Sequence, residues 1–432
     1  MPDLSESLHD TAAGYSETVI NPPLGVELCG YGLYRNRRAE SVLDDLKARA
    51  VWLSDGKTTL VMIACDLIGL DLETSDRIRK AIAAEHRIPM SNVLLACTHT
   101  HSGPASEFLR GCGELTPEYA ARLPELIQET ARRAAFDRQS CQVLSGAEYA
   151  EPLGFNRRFH SFQPVDPKVS AIILNRTEFP ICIFSYSCHA VTLGANTALS
   201  ADWPGAAARA MEANGYRCIC FQGFCGDIDP VSNLNKWGAG TTDDLLLYGA
   251  ILKRHLSAIA QRGQAKDPFR LTAIEDRISL PLEMPPDKNA LAREYETWHS
   301  KRENEAWHKF VSEWHQSARE KLDGLGAHPY LGNAPIQAMQ IGGMSLIALP
   351  GEIFCEYGLK LRAQFPALMT VGYGNGNTGY WPVKEAYDNP DDYAAYLAPK
   401  IYYCFPFAPA LENITLKACQ KILSQTANAA KR

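Results

Sequence analysis

Residues 97–104 read Cys97-Thr98-His99-Thr100-His101-Ser102-Gly103-Pro104. The apolar run that leads into them, residues 93–98, predicts a buried strand, and Gly103-Pro104 ends it. In a strand, positions i and i+2 face the same side, so His99 and His101 are expected to project together from the strand end into whatever cleft lies there. Two imidazoles on one side can share a metal or divide into one ligand and one acid–base group. The plainer alternative is a hydrogen-bonded pair of histidines at a strand end.

Outward from this point, strands and helices alternate. Residues 48–53 and 57–66 form an expected hairpin around Ser54-Asp55-Gly56. Residues 75–85 carry Ile78 and Ile82 at helical spacing, and residues 117–135 read as a helix with Thr116 as N-cap and Pro117 in its first turn. Strands are expected at 169–174, 181–187 and 216–221, with a helix at 206–214 stopped by Gly215. A further hairpin is expected at 337–349 around Gly342-Gly343. Within residues 287–325 a helical stripe of Trp307, Phe310, Trp314 and Ala318, with Val311 alongside, predicts packing into the core; a lid or dimer contact is the alternative use. His299, His308 and His315 read as surface or stripe residues there. The class is α/β (α+β), with the strands forming the core.

The bulk numbers narrow the function. The 432 residues are 46% hydrophobic and 21% charged, the mixture of a globular protein with a real core. A net charge of −6 without a basic stripe excludes an electrostatic footprint for nucleic acid. The longest apolar runs, such as residues 60–65, are strand-sized and far short of the roughly 18 residues of a membrane span. Residues 1–16 carry Asp3, Glu6 and Asp10 with no basic start or apolar run, so they are expected to be a tail rather than a signal peptide, and the protein is expected in the cytoplasm. The thirteen cysteines are scattered without zinc-ribbon pairs and read as small buried hydrophobes, so a metal would be held by histidine and carboxylate.

Other chemistry-bearing residues follow apolar runs in the same way. His189 follows the strand expected at 181–187; alone it would be structural. Glu352, in Leu349-Pro350-Gly351-Glu352, reads in isolation as an acid at a helix N-terminus. Asp227 and Asp229 lie in a glycine-rich turn and are either turn formers or metal or substrate groups. Residues 374–379 match Gly-x-Gly-x-x-Gly, but Tyr380-Trp381-Pro382 follows instead of a helix start, so a pocket-lining loop presenting Tyr380 is expected rather than a dinucleotide site. His-Glu-x-x-His and Gly-x-Ser-x-Gly are both missing.

Taken in order, His99-Thr100-His101-Ser102-Gly103-Pro104, His189, Gly226-Asp227-x-x-Pro230, Pro350-Gly351-Glu352 and Gly379-Tyr380 resemble the catalytic domain of the neutral (non-lysosomal) ceramidases and their shorter bacterial relatives. The resemblance runs from about Val19 to the C-terminus. It implies a layered core of β-sheets flanked by helices, with a helical insertion near 287–325 in a single domain spanning 17–432. It also implies one zinc per chain held by His99, His189, Glu352 and Tyr380. His101 takes the place of the catalytic histidine, and Arg157, in Phe155-Asn156-Arg157, resembles an arginine near the substrate. Asp229 stands where those enzymes carry a serine, and little chain follows residues 410–412 to form a further C-terminal domain. A smaller, more polar substrate than ceramide is therefore expected.

The implied activity is hydrolysis of the amide bond of a small N-acyl substrate by a zinc-activated water. His101 would stabilise the oxyanion or protonate the leaving group, while Arg157 and Asp229 bind polar substrate groups. Asp202 or Asp227 would orient a ligand histidine. Three alternatives stand beside it: a zinc-dependent lactonase or esterase, a non-catalytic metal-binding protein of the same fold, and a metal-free cysteine hydrolase using Cys97, Cys188 or Cys225.

Overall fold

The computed structural model describes residues 11–265, 270–325 and 330–430. A large mixed sheet is built from β1 (Ala12–Val19), β2 (Lys47–Ser54), β3 (Thr59–Cys65), β4 (Val93–Cys97), β5 (Gln139–Tyr149), β6 (Lys168–Arg176), β7 (Ile181–Tyr186) and β8 (Arg217–Gln222). Its order is β8-β7-β6-β5-β1-β2-β3-β4, with Gln264–Ala265 added beside β5. The pairs β3/β4 and β7/β8 are parallel, and the others on this path are antiparallel. A second sheet has the order β9 (Leu271–Pro281), β10 (Tyr330–Ile341), β11 (Met344–Ala348), β12 (Leu368–Val371), of which only β11/β12 is parallel.

The hairpins expected around residues 54–56 and 342–343 are both present, with Gly56 and Gly342 in left-handed turns. The strand at β1 differs from the expected tail. Residues 1–10 lie outside the described residues, but Ala12–Val19 pairs along its whole length with β2. Its apolar positions, Ala13 and Tyr15, are too few to stand out in a polar stretch. Gly14 shows the reason for the pairing: a Cβ there would lie 1.9 Å from the carbonyl oxygen of Ala134, so the helix α2 (Pro117–Phe136) packs directly on this strand.

Strand alternation divides the apolar residues into layers. One face of the large sheet, with Val51, Met62, Ile172, Ile183 and Phe221, packs on Met339, Leu346, Met369 and Val371 of the second sheet. Each such buried side chain contributes about 1.5–3 kcal/mol. The other face, with Ile63, Leu95, Ile173 and Phe184, is covered by α1 (Leu72–His86), α2, α3 (Asp202–Glu212) and α4 (Thr242–Arg262) through Ile78, Ile127, Met211 and Leu252. Residues 287–325 form two helices, α5 (Lys288–His299) and α6 (Glu305–Leu325). On the outer face of the second sheet, Ile336, Ala338 and Ile347 meet α7 (Cys355–Arg362) and α8 (Leu411–Ala429). The result is four layers, helices–sheet–sheet–helices.

The α5–α6 hairpin sits outside these layers. Asp287 caps α5, and the side chain of Asn304 accepts the Trp307 N–H at the start of α6. Trp307, Phe310, Trp314 and Ala318 are buried, as the stripe predicted, against Ile68, Leu109, Ile401 and Phe405. The Trp314 indole donates to the Cys404 carbonyl at 2.8 Å. Trp314→Ala removes both a fully buried ring and that bond, and is expected to lower stability by about 3–5 kcal/mol, read from chemical denaturation curves.

Candidate metal centre and cleft

The site is assembled where strands of the two sheets end. His99 and His101 follow β4, His189 follows β7, and Asp227 and Asp229 follow β8. From the second sheet, Glu352 follows β11, and Tyr373 and Tyr380 follow β12. The Gln222 side chain donates to the Thr98 carbonyl at 3.0 Å and ties the ends of β8 and β4 together. Two short pairings set the remaining neighbours: Glu352 is in register with Tyr380, and Asp229 with Phe155, which brings Arg157 alongside.

The two motif histidines meet for a different reason from the one strand alternation gives. The strand ends at Cys97, and His99 turns through a left-handed backbone with φ 60°. Tyr31, Asp202, Tyr373 and Asn375 are also left-handed, with φ between 52° and 65°. Such strain is sustained only where the surroundings over-determine it. Here the His99 N–H is held by the Leu67 carbonyl, and its ring stacks on Tyr373 with centroids 4.1 Å apart.

Backbone carbonyls orient two of the rings. His99 Nδ1 lies 2.6 Å from the Ile68 oxygen and His189 Nδ1 lies 2.7 Å from the Cys225 oxygen. A carbonyl can only accept, so in each neutral ring the hydrogen sits on Nδ1 and the Nε2 lone pair points inward. His99 Nε2 is 3.2 Å from His101 Nε2 and 3.4 Å from Glu352 Oε2, and His189 Nε2 is 3.0 Å from the same oxygen. Nitrogen and oxygen ligands at about 2.0–2.1 Å around a tetrahedral ion are themselves about 3.3 Å apart. The three histidines are buried or half-buried and can together hold a metal. By spacing and donor type, the cluster fits a zinc-like ion.

Neither Asp202 nor Asp227 touches a histidine ring. Asp202 accepts the N–H groups of Thr192, Leu193 and Trp203, and so fixes the segment after His189. Asp227 accepts from the Asn156 side chain at 2.6 Å and the Cys355 N–H at 2.8 Å, and so joins the segments that carry Arg157 and Glu352. Its carboxyl is pushed up to about 8, by burial first and then by Glu356. Burial would also raise the Glu352 carboxyl, but His99 and His189 outweigh it and hold that group well below the usual range. Burial, then His99 and His189, push the His101 imidazole well below its ordinary value. Burial raises the thiols of Cys97, Cys188 and Cys225 well above theirs.

His99, His101, Glu352, Tyr380, Arg157 and Asp229 line the adjoining cleft, and His189 is buried behind them against Glu352. Arg157 donates to the Tyr380 hydroxyl at 2.8 Å and to the Gly226 carbonyl at 2.7 Å, and pairs with Asp229 at 3.2 Å. Tyrosines crowd Glu352: Tyr402 donates to its Oε1, and the Tyr373 hydroxyl is 3.4 Å from its Oε2. Neither tyrosine was legible in the sequence, nor was Tyr31, whose ring packs edge-on to His101 at 5.0 Å. The one signal for Tyr31 is the flanking Gly30. It is left-handed, and a Cβ there would stand 2.3 Å from His101 Nδ1. The glycine-rich loop at 374–379 latches rather than lines: Asn375 bonds Leu95 and Gln337, and Asn377 donates to Glu107.

The cleft has two chambers that share Tyr31, His101, Tyr380 and Tyr393. One, of about 430 Å³, reaches His99 and Glu352 and is walled by Ile68, Leu109, Trp307 and Ile401. The other, of about 550 Å³, is lined by Arg157, Arg158, Asp229, Trp237, Asp391 and Asp392. The α5–α6 hairpin thus supplies a wall of the first chamber. Among the described residues, no helix is long and apolar enough to cross a membrane.

Two solved structures share this architecture. The neutral ceramidase from Pseudomonas aeruginosa superposes with a TM-score of 0.73 at 17% identity, covering 96% of this chain and 74% of that one. A ceramidase complexed with C2 gives 0.73 at 16%, covering 98% and 76%. No protein-family model and no curated protein matches the chain. The chain is thus a layered α/β protein with a buried histidine–carboxylate cluster, and its fold is that of the neutral ceramidases.

Glu107 supports this region from behind. It is buried, and burial pushes its carboxyl up to about 8. A carboxyl raised in the folded state stabilises fully at acid pH and loses that contribution as pH rises through its folded value. Between about pH 5 and 8.5, stability is therefore expected to fall, with Asp227 adding to the slope. Glu107→Gln is expected to flatten the curve and exceed wild type by on the order of 1 kcal/mol at the alkaline end, measured by urea denaturation across that range.

Proposed function

We propose that this chain is a zinc-dependent hydrolase that cleaves the amide bond of a small, polar N-acyl substrate. His99, His189, Glu352 and Tyr380 would hold the ion, and His101 would be the acid–base group. The observation that carries the reading is the convergence of inward-facing histidine nitrogens and a carboxylate oxygen at 3.0–3.4 Å. It is supported by the fold shared with the two ceramidases. When bound, the ion supplies Lewis acidity and brings the pKa of a coordinated water to about 7.

The chain's own residues do the rest. Hydrolysis adds water across the C–N bond: oxygen goes to the carbonyl carbon and a proton to nitrogen, releasing an acid and an amine. His101 lines both chambers, so it is placed between the attacking water on one side and the leaving amine on the other. The Arg157 guanidinium, which donates to the Tyr380 hydroxyl at 2.8 Å, is a donor beside the ion for polar groups of the substrate or a developing oxyanion. An ester or lactone could use the same groups. A thiol mechanism is disfavoured, because buried cysteines with raised pKa are poor nucleophiles. Their free state suits a reducing compartment, and a cytoplasmic location belongs to the same proposal.

Metal analysis of purified protein tests the reading. About one zinc per chain is expected in wild type, and loss in His99→Ala and His189→Ala. His101→Ala is expected to keep its zinc while kcat on N-acyl amines falls by about 10²–10⁴-fold. Loss of zinc in that variant would make His101 a ligand. A well-folded wild type that takes up no metal when zinc is supplied would overturn the assignment.

A further inference from the structure

The two chambers differ in chemistry, and the difference points to the substrate. The chamber containing His99 and Glu352 carries the candidate metal cluster, and Ile68, Leu109, Trp307 and Ile401 give it an apolar wall against which an acyl group can lie. The other chamber is lined by charges, and each has a partner. Arg157 pairs with Asp229, Arg158 with Asp392 and Glu356, and Asp391 with Lys301. Asp392 is tied further by the Ala394 and Ala395 N–H groups, and Arg157 by Gly226 and Tyr380. An ionic ligand that broke the Arg157–Asp229 pair would strand a buried charge, since Asp229 is only 2% exposed. An alkyl chain would bury the same ion pairs without hydrogen bonds.

A large aromatic surface stands in the same wall. Trp237 is 49% exposed although its ring is braced edge-on against Tyr31 at 4.9 Å. A fixed, half-bare indole among carboxylates and guanidinium groups suits a ligand with many hydroxyls and an apolar C–H face. Hydroxyls both donate and accept, so they can bond to paired charges without separating them.

We propose that the Trp237–Asp229 chamber receives a neutral, polyhydroxylated amine, an aminopolyol or amino sugar, as the leaving half of the amide. This rests on the hydrolase reading above. In the amide the nitrogen is uncharged, in keeping with the matched charges of the wall.

The test uses zinc-loaded wild type and N-butanoyl amides that differ only in the amine: glucosamine, glucosaminitol, hexylamine and glycine. The glucosamine or glucosaminitol amide is expected to have at least a tenfold higher kcat/KM than the other two. Calorimetry with N-butanoylglucosaminitol gives a second readout. Trp237→Ala is expected to weaken its binding, and to raise KM more than it lowers kcat, by up to about tenfold. Cleavage that favours hexylamine or glycine, or polyol binding indifferent to Trp237→Ala, overturns the proposal and leaves the hydrolase standing. Polyol binding that depends on Trp237 with no amide cleaved sustains the chamber and overturns the hydrolase. Neither binding nor cleavage overturns both.

Discussion

A neutral imidazole lone pair held 3.0 Å from a carboxylate oxygen is repulsive unless a proton or a cation lies between them. His189 and His99 are both placed this way against Glu352, in a site from which water is largely excluded. The arrangement persists because each ring is fixed from behind by a backbone carbonyl, which leaves no freedom to turn the lone pair away. The rest of the molecule supplies this fixing. Left-handed turns at His99 and Tyr373, the buried carboxylates of Asp202 and Asp227, and the latch of Asn375 and Asn377 all hold segments at strand ends.

The layering explains why the cluster draws on distant parts of the chain. Three parallel strand pairs, two in the large sheet and one in the second, end at the same edge of the packed sheets. Parallel neighbours deliver their following loops to one side, the usual place for a ligand site in open sheets. Helices on both outer faces bury the sheets, and the α5–α6 hairpin closes the cleft laterally through Trp307. The insertion is therefore structural and a cavity wall at once, which its tryptophan stripe alone would not reveal.

Two electrostatic settings coexist within one cleft. Around the cluster, charge is concentrated, and burial and neighbours shift His101, His189 and Glu352 in directions that suit metal binding. In the adjoining chamber, charge is matched pair by pair. Asp229 belongs to that second setting through Arg157.

By itself the sequence determined the alternation of strands and helices, the two tight hairpins, the buried stripe of α6 and the run of motifs that share one cleft, because these rest on local periodicity and turn chemistry. It did not disclose β1, whose few apolar positions matter only once α2 packs at Gly14, nor the break between α5 and α6. It brought His99 and His101 together through strand alternation, whereas the chain has already left the strand and a left-handed residue aims the ring. Tyr373, Tyr402 and Trp237 carried no local signal, and Tyr31 only its flanking Gly30, since an aromatic residue in a loop is ordinary until a fold sets it against a carboxylate or a cavity. Only the tertiary structure decided which carbonyls orient the rings, which tyrosines surround Glu352 and how the cleft divides, because those are contacts between segments up to hundreds of residues apart in the chain.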